Sequence, residues 1–229
     1  MYGPNKFIQI LRQLKESNFV FDHFKATKHG SRVVHLRHDV DFSVDSALNL
    51  AYIERKEEIL STYFFMLSSN TYNVFSKKNS DQIREIMHMG HKISLHFDPT
   101  SHQDIDSGFQ KEKNSFEDFF TTKLDIISIH RPGVFLENNN RKLPGCSHTY
   151  EDRFFKDMVY LSDSGGKDVS EDLKRFIDNE ELKELHLLLH PIWWEKEFQS
   201  PTQTLDNWLD RSGKFLKGET RKNCKTYLG

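Results

Sequence analysis

Six short apolar runs rich in β-branched and aromatic residues recur along the chain: Val33 to Leu36, Thr62 to Leu67, Ile93 to His96, Ile126 to Ile129, Met158 to Leu161 and Leu185 to Leu189. Their ends fall roughly thirty residues apart, the length of a βαβ unit. The segments between them carry helical signals. Ser43 can cap a helix running to Glu57, with Leu48, Ala51, Tyr52 and Ile59 as its apolar stripe. Ser80 can cap a helix from Asp81 to Met89, which Gly90 ends in a left-handed residue. Further helices are predicted over Phe109 to Thr122, Val169 to Asn179 and Thr204 to Leu216, and Met1 to Glu16 has helical spacing at Phe7, Ile8, Leu11 and Leu14. The stretch Glu137 to His148 reads as an exposed loop. Such alternation predicts an α/β fold of parallel strands wrapped by helices, in one domain spanning residues 1–229.

Composition narrows the partners. The 229 residues are 36% hydrophobic and carry 32 basic against 34 acidic side chains, a formal charge of −2, which excludes the basic footprint of a nucleic-acid binder. No apolar run approaches the ~20 residues needed for membrane insertion. The N-terminal pattern is not that of an export signal, so cytoplasmic residence is expected. Two cysteines, Cys146 and Cys224, provide neither a disulfide framework nor a cysteine zinc site. Twelve histidines is a high count for this length, and position must decide which of them matter.

In parallel βα folds the carboxyl ends of the strands open onto the face that holds the active site. Here five of the six ends are ionisable: Arg37-His38-Asp39-Val40-Asp41, His96-Phe97-Asp98, His130-Arg131-Pro132-Gly133, Asp163 within Ser162 to Gly166, and His190-Pro191. Residues two apart share a strand face. Asp39 and Asp41 can therefore face one pocket, as can Ser94, His96 and Asp98, whereas His91 lies at the wrong end of its strand and His186 at the lower face. Two adjacent carboxylates resist joint ionisation unless a cation is near. Carboxylate and imidazole together suit zinc or another divalent ion, and a second carboxylate can accept a proton from water.

These strand ends resemble the motifs of the polysaccharide deacetylases, carbohydrate esterase family four. Arg37-His38-Asp39-Val40-Asp41 is similar to the D-x-D form of the first motif. Gly90-His91-Lys92-Ile93-Ser94-Leu95-His96 follows the second, Arg131-Pro132-Gly133 is a shortened third, and Leu189-His190-Pro191 matches the last. The matches run in family order from about Val33 to Trp194. The resemblance implies a distorted (β/α)7 barrel and a divergent member of the family. It implies Asp39 as general base, Asp41 and His96 as metal ligands, Arg131 as the residue orienting Asp39, and His190 as general acid. The family's second metal histidine is Thr100 in this chain. His102 is the expected replacement, with His130 as another candidate third ligand and otherwise a substrate contact. Asp163 either binds substrate or caps its turn; Trp193 and Trp194 either stack on a sugar ring or anchor the last loop to the core.

The expected activity is that of a metal-dependent hydrolase, with zinc the expected ion, that removes an acetyl or similar acyl group from an amino sugar. Lack of an export signal favours a nucleotide- or lipid-linked glycan precursor over finished polymer. Thr100 leaves open a glycan-binding relic that has lost the metal, and the same centre suits hydrolysis of another C–N bond.

Overall fold

The structure is a computed structural model that describes residues 2–24, 32–139, 142–197 and 200–229. Eight strands run β1 (Val20–Phe21), β2 (Val33–Val40), β3 (Thr62–Phe65), β4 (Lys92–Phe97), β5 (Ile126–Ile129), β6 (Ser147–His148), β7 (Val159–Ser162) and β8 (Glu184–Leu189). They alternate with helices α1 (Pro4–Glu16), α2 (Val44–Lys56), α3 (Lys77–His88), α4 (Ile105–Phe120), α5 (Gly133–Asn139), α6 (Asp152–Phe155), α7 (Ser170–Asp178) and α8 (Pro201–Asn223). Every strand pair is parallel. The path β6-β5-β4-β3-β2-β8-β7 is a curled seven-stranded sheet, with β1 added alongside β2. This is the distorted (β/α)7 barrel expected from the sequence.

The pleat sorts the side chains. Leu36 and Val34 of β2, with Leu185, Leu187 and Leu189 of β8, pack outward against Phe7, Leu11 and Leu14 of α1. Ile93, Leu95 and Phe97 of β4 pack outward with Ile127 and Ile129 of β5, against Ile83 and Ile86 of α3 and Phe109 and Phe116 of α4. The opposite parity fills the barrel, where Phe64 of β3 and Ile126 of β5 meet Phe24 and Phe154. Both cores lose water from large apolar faces, the dominant stabilising term.

Several boundaries differ from the sequence reading. Ser76, not Ser80, caps α3, accepting from the Asn79 N–H. Asp104 caps α4 four residues earlier than expected, and α8 runs on to Asn223. β1 and β6 are two-residue strands, too short to show a period. The predicted exposed loop after Glu137 holds β6 and buries Leu143; Asn140 and Arg141 lie outside the described residues.

A polar network sits on the helix side of β2. His38 faces the Leu189 carbonyl through Nδ1 at 3.1 Å and Glu54 Oε1 through Nε2 at 2.6 Å. Both ring nitrogens of His38 are thus engaged, one by a carbonyl and one by a carboxylate. Burial alone would push the Glu54 carboxyl up, but His38 holds it below its ordinary value. Glu54 Oε2 also accepts from Ser61 Oγ and Tyr63 OH, each at 2.7 Å, and His91 bonds Ser61 at 2.9 Å. Nothing in this network is exposed, so removing one charge strands the other. Glu54→Gln is expected to cost about 3–5 kcal/mol in chemical denaturation; a loss below about 1 kcal/mol would mean that the buried pair is neutral.

Candidate active site

Asp39 and Asp41 close β2 and face the barrel mouth. Arg37, on the same face one pleat below, grips Asp39 with two bonds, Nε to Oδ1 at 2.8 Å and Nη2 to Oδ2 at 2.6 Å. Burial would raise the Asp39 carboxyl, but the Arg37 guanidinium, with smaller help from His96 and His190, holds it far below the carboxylate range. Asp39 is thus an ionised acceptor. Its Oδ2 lies 3.6 Å from His96 Nε2.

His96 comes from the end of β4, and its Nδ1 is bonded to Ser128 Oγ of β5. That contact turns Nε2 towards the mouth, the way outer partners orient metal-binding imidazoles. Three atoms converge there. His96 Nε2 is 3.1 Å from Asp41 Oδ1 and 3.0 Å from His130 Nδ1, and His130 Nδ1 is 3.6 Å from Asp41 Oδ1. Asp41 Oδ1 is buried with no hydrogen-bond partner among the described residues. Burial raises the Asp41 carboxyl, but contact with His96 lowers it further than that. Burial and the nearby His96 both depress His130, which favours the neutral, ligating imidazole. Tetrahedral zinc with bonds of ~2.0–2.1 Å holds its donors about 3.3 Å apart, so the triangle has the span and the chemistry of a divalent-metal site. It is the one such cluster among the described residues.

His190 ends β8 on the other side of Asp41, with Nε2 3.8 Å from Asp41 Oδ2. Asp163, buried at the end of β7, accepts from His190 Nδ1 at 2.6 Å and from the His190 backbone N–H. Burial alone would depress His190; the Asp163 carboxylate overrides it and raises the imidazole to about 9.

The structure brings Asp39, Asp41, His96, His130, Asp163 and His190 together, and it separates the remaining predicted residues from them. His102 is held on α4, its Nε2 2.8 Å from Glu112 Oε1 and its ring stacked on Phe97. The cause is a local cap: Asp98 Oδ1 accepts from Thr100 N and Oγ1, closing the turn Pro99–Ser101 and leading the chain away. Arg131 does not orient Asp39. Its backbone is left-handed (φ 50°), its side chain is 71% exposed, and the carboxylate it faces is Asp98, at 3.8 Å. Trp193 and Trp194 are no sugar platform, because the turn Pro191–Trp193 folds both into the core. Trp194 donates to Asp163 Oδ2 at 2.7 Å and meets Tyr2 edge-on. Asp163 is fully buried and bonded to His190 Nδ1. Sequence reasoning passed over Arg37 and Ser128, although both have the strand parity of the groups they hold.

No family model and no curated protein matches the chain. Among solved structures it is similar in fold to a CE4 family pseudoenzyme from Bacillus anthracis, at 14% identity and a TM-score of 0.47, over 82% of this chain and 62% of that one. The chain therefore spans less than two thirds of that relative's length. It is also similar to the catalytic domain of peptidoglycan N-acetylglucosamine deacetylase from Eubacterium rectale, at 12% identity and a TM-score of 0.49, over 84% and 89% of the two chains. The chitin deacetylase of Colletotrichum lindemuthianum aligns at 17% identity and a TM-score of 0.45, over 86% and 87%. No helix of the described residues is long and apolar enough to cross a membrane.

Zinc or cobalt titration followed by calorimetry is expected to find one strong site per chain. His130→Ala should weaken it by more than ~100-fold, beyond what loss of an outer partner does, and His102→Ala should not; the opposite ranking would dismantle the triangle.

Proposed function

We propose that the chain is a metal-dependent carbohydrate deacetylase that hydrolyses the acetamide of an N-acetylated amino sugar. The observation that carries this reading is the placement of the Asp41, His96 and His130 triangle between a held, ionised carboxylate and a protonated imidazole. A divalent ion held by these three side chains would polarise the acetamide oxygen and acidify water at the same centre.

The chain's own groups then supply the proton transfers. Asp39 accepts the proton of a water whose oxygen bonds to the acetamide carbon, and the carbonyl π pair moves onto oxygen. When that pair returns, the C–N bond breaks and its electrons go to nitrogen. His190 Nε2–H delivers the proton that the departing amine needs. Acetate and the free amino sugar leave. Asp163 keeps His190 in the required form by holding Nδ1, leaving Nε2 to face the mouth.

Charge favours the same reading over a metal-free relic. Asp39 meets Arg37 and Asp163 meets His190, whereas Asp41 lies between the His96 and His130 imidazoles, where a cation would complete the pairing. Thr100 does not leave the site a ligand short, because His130 stands within reach.

Two outcomes test this. The metal-loaded protein should release acetate from N-acetylated chito-oligosaccharides, and His96→Ala should abolish that release. Because His190 acts as an acid, activity should be lost as pH rises through about 9. Asp163→Asn removes the cause of the raised value, so this alkaline limb should move down towards the ordinary imidazole range of ~6.5. Asp39 stays ionised throughout the neutral range and should contribute no acid limb there. An alkaline limb that Asp163→Asn leaves unmoved would remove His190 from the role of acid.

A further inference from the structure

The resemblance assigns the orientation of Asp39 to an arginine on the loop after β5, but that arginine points to solvent, and a different one holds the carboxylate. Arg37 and Asp39 are both buried, at 0% and 3% side-chain exposure. They share one strand, two residues apart, on the face that lines the barrel. The guanidinium fork meets both carboxylate oxygens. Its carbon lies 4.8 Å from the Tyr150 ring centroid and 5.8 Å from that of Phe64, so two aromatic faces hold it from the sides. Nη2 also reaches Tyr150 OH at 3.4 Å.

We propose that Arg37 is the positioning residue of this site: its two-pronged grip fixes the plane of Asp39 so that the carboxylate's remaining lone pairs face the Asp41, His96 and His130 triangle, where the water to be deprotonated must sit. The inference rests on the deacetylase reading above.

Three features argue for this over a merely structural ion pair. A fork that engages both oxygens fixes the direction of a carboxylate, whereas a single point charge fixes only its distance. Both groups belong to an interior strand of the sheet, paired to β3 and β8, so the clamp does not shift when loops move. And Asp39 Oδ2, the oxygen bonded to Nη2, is also the one 3.6 Å from His96 Nε2, so its orientation relative to the triangle is set by Arg37. Arg131, on a left-handed residue outside the strand, has none of these properties.

The test compares Arg37→Lys, Arg37→Gly and Arg131→Gln in the full, metal-loaded chain, reading acetate release from chitotetraose. A base misplaced by about 1 Å costs ~100-fold in rate, so Arg37→Lys is expected to lower kcat by that order with KM nearly unchanged. Guanidinium chloride at concentrations too low to unfold the protein should restore part of the kcat of Arg37→Gly. A larger kcat loss in Arg131→Gln than in Arg37→Lys, or no recovery with guanidinium, overturns the proposal. Should the unmodified protein release no acetate, the deacetylase reading fails, and thermal unfolding decides the clamp by itself. In that arm Arg37→Gln, Asp39→Asn and the double variant are compared. The double variant is expected to recover most of the Tm lost by the single ones, because it leaves no unpaired buried charge; additive losses overturn the clamp.

Discussion

The site depends on how the chain keeps ionised carboxylates in a place shielded from water. Strand alternation makes Asp39 and Asp41 neighbours on one face of β2, and the barrel buries Asp39 almost completely. An unpaired buried charge costs several kcal/mol after all relaxation. Each carboxylate therefore meets its own counterpart: Asp39 meets Arg37, Asp163 meets His190, and Asp41 meets two imidazoles. The last pairing differs from the others, since Asp41 meets neither a guanidinium nor an imidazole held by a second carboxylate. The donors of that corner stand at the spacing of a divalent-metal site.

The face of β2 that turns away from the mouth is polar too. His38 lies between Arg37 and Asp39 in sequence but points the other way, into its pair with Glu54 of α2. Its Nδ1 bonds the carbonyl of Leu189, the residue before His190. One side chain thus ties the strand bearing the carboxylates to the strand bearing the acid and to the helix that follows. Positioning in the site and stability of the fold share this strand.

Much of this was legible in the sequence, for a physical reason. A strand's period of two is rigid, so the shared face of Asp39 with Asp41, and the exclusion of His91 from the mouth, followed from counting residues. His91 is indeed held with Ser61 and Glu54 on the helix side. What periodicity could not show lies in the turns. The Asp98 cap that turns His102 away, the left-handed Arg131 and the fold-back that buries Trp193 and Trp194 are all set by local hydrogen bonds or packing after a strand has ended. Arg37 was legible in principle, because the parity rule that joined Asp39 to Asp41 applies one step earlier as well.

The position of His130 follows from the sheet. His96 of β4 is in register with Ser128 of β5, and these two side chains are bonded. Two residues beyond Ser128, on the same face, the next side chain stands one pleat higher, beside the top of His96; that residue is His130. Its backbone N–H is tied to the Phe97 carbonyl at 2.7 Å, which extends the β4–β5 ladder to its last rung. A ligand four residues after His96 depends on the shape of a loop, and here the Asp98 cap gives that loop another shape. A ligand from the adjacent strand depends only on register, which the sheet enforces. His130 therefore reaches the barrel mouth by a short and stiff path, while His102 packs against α4.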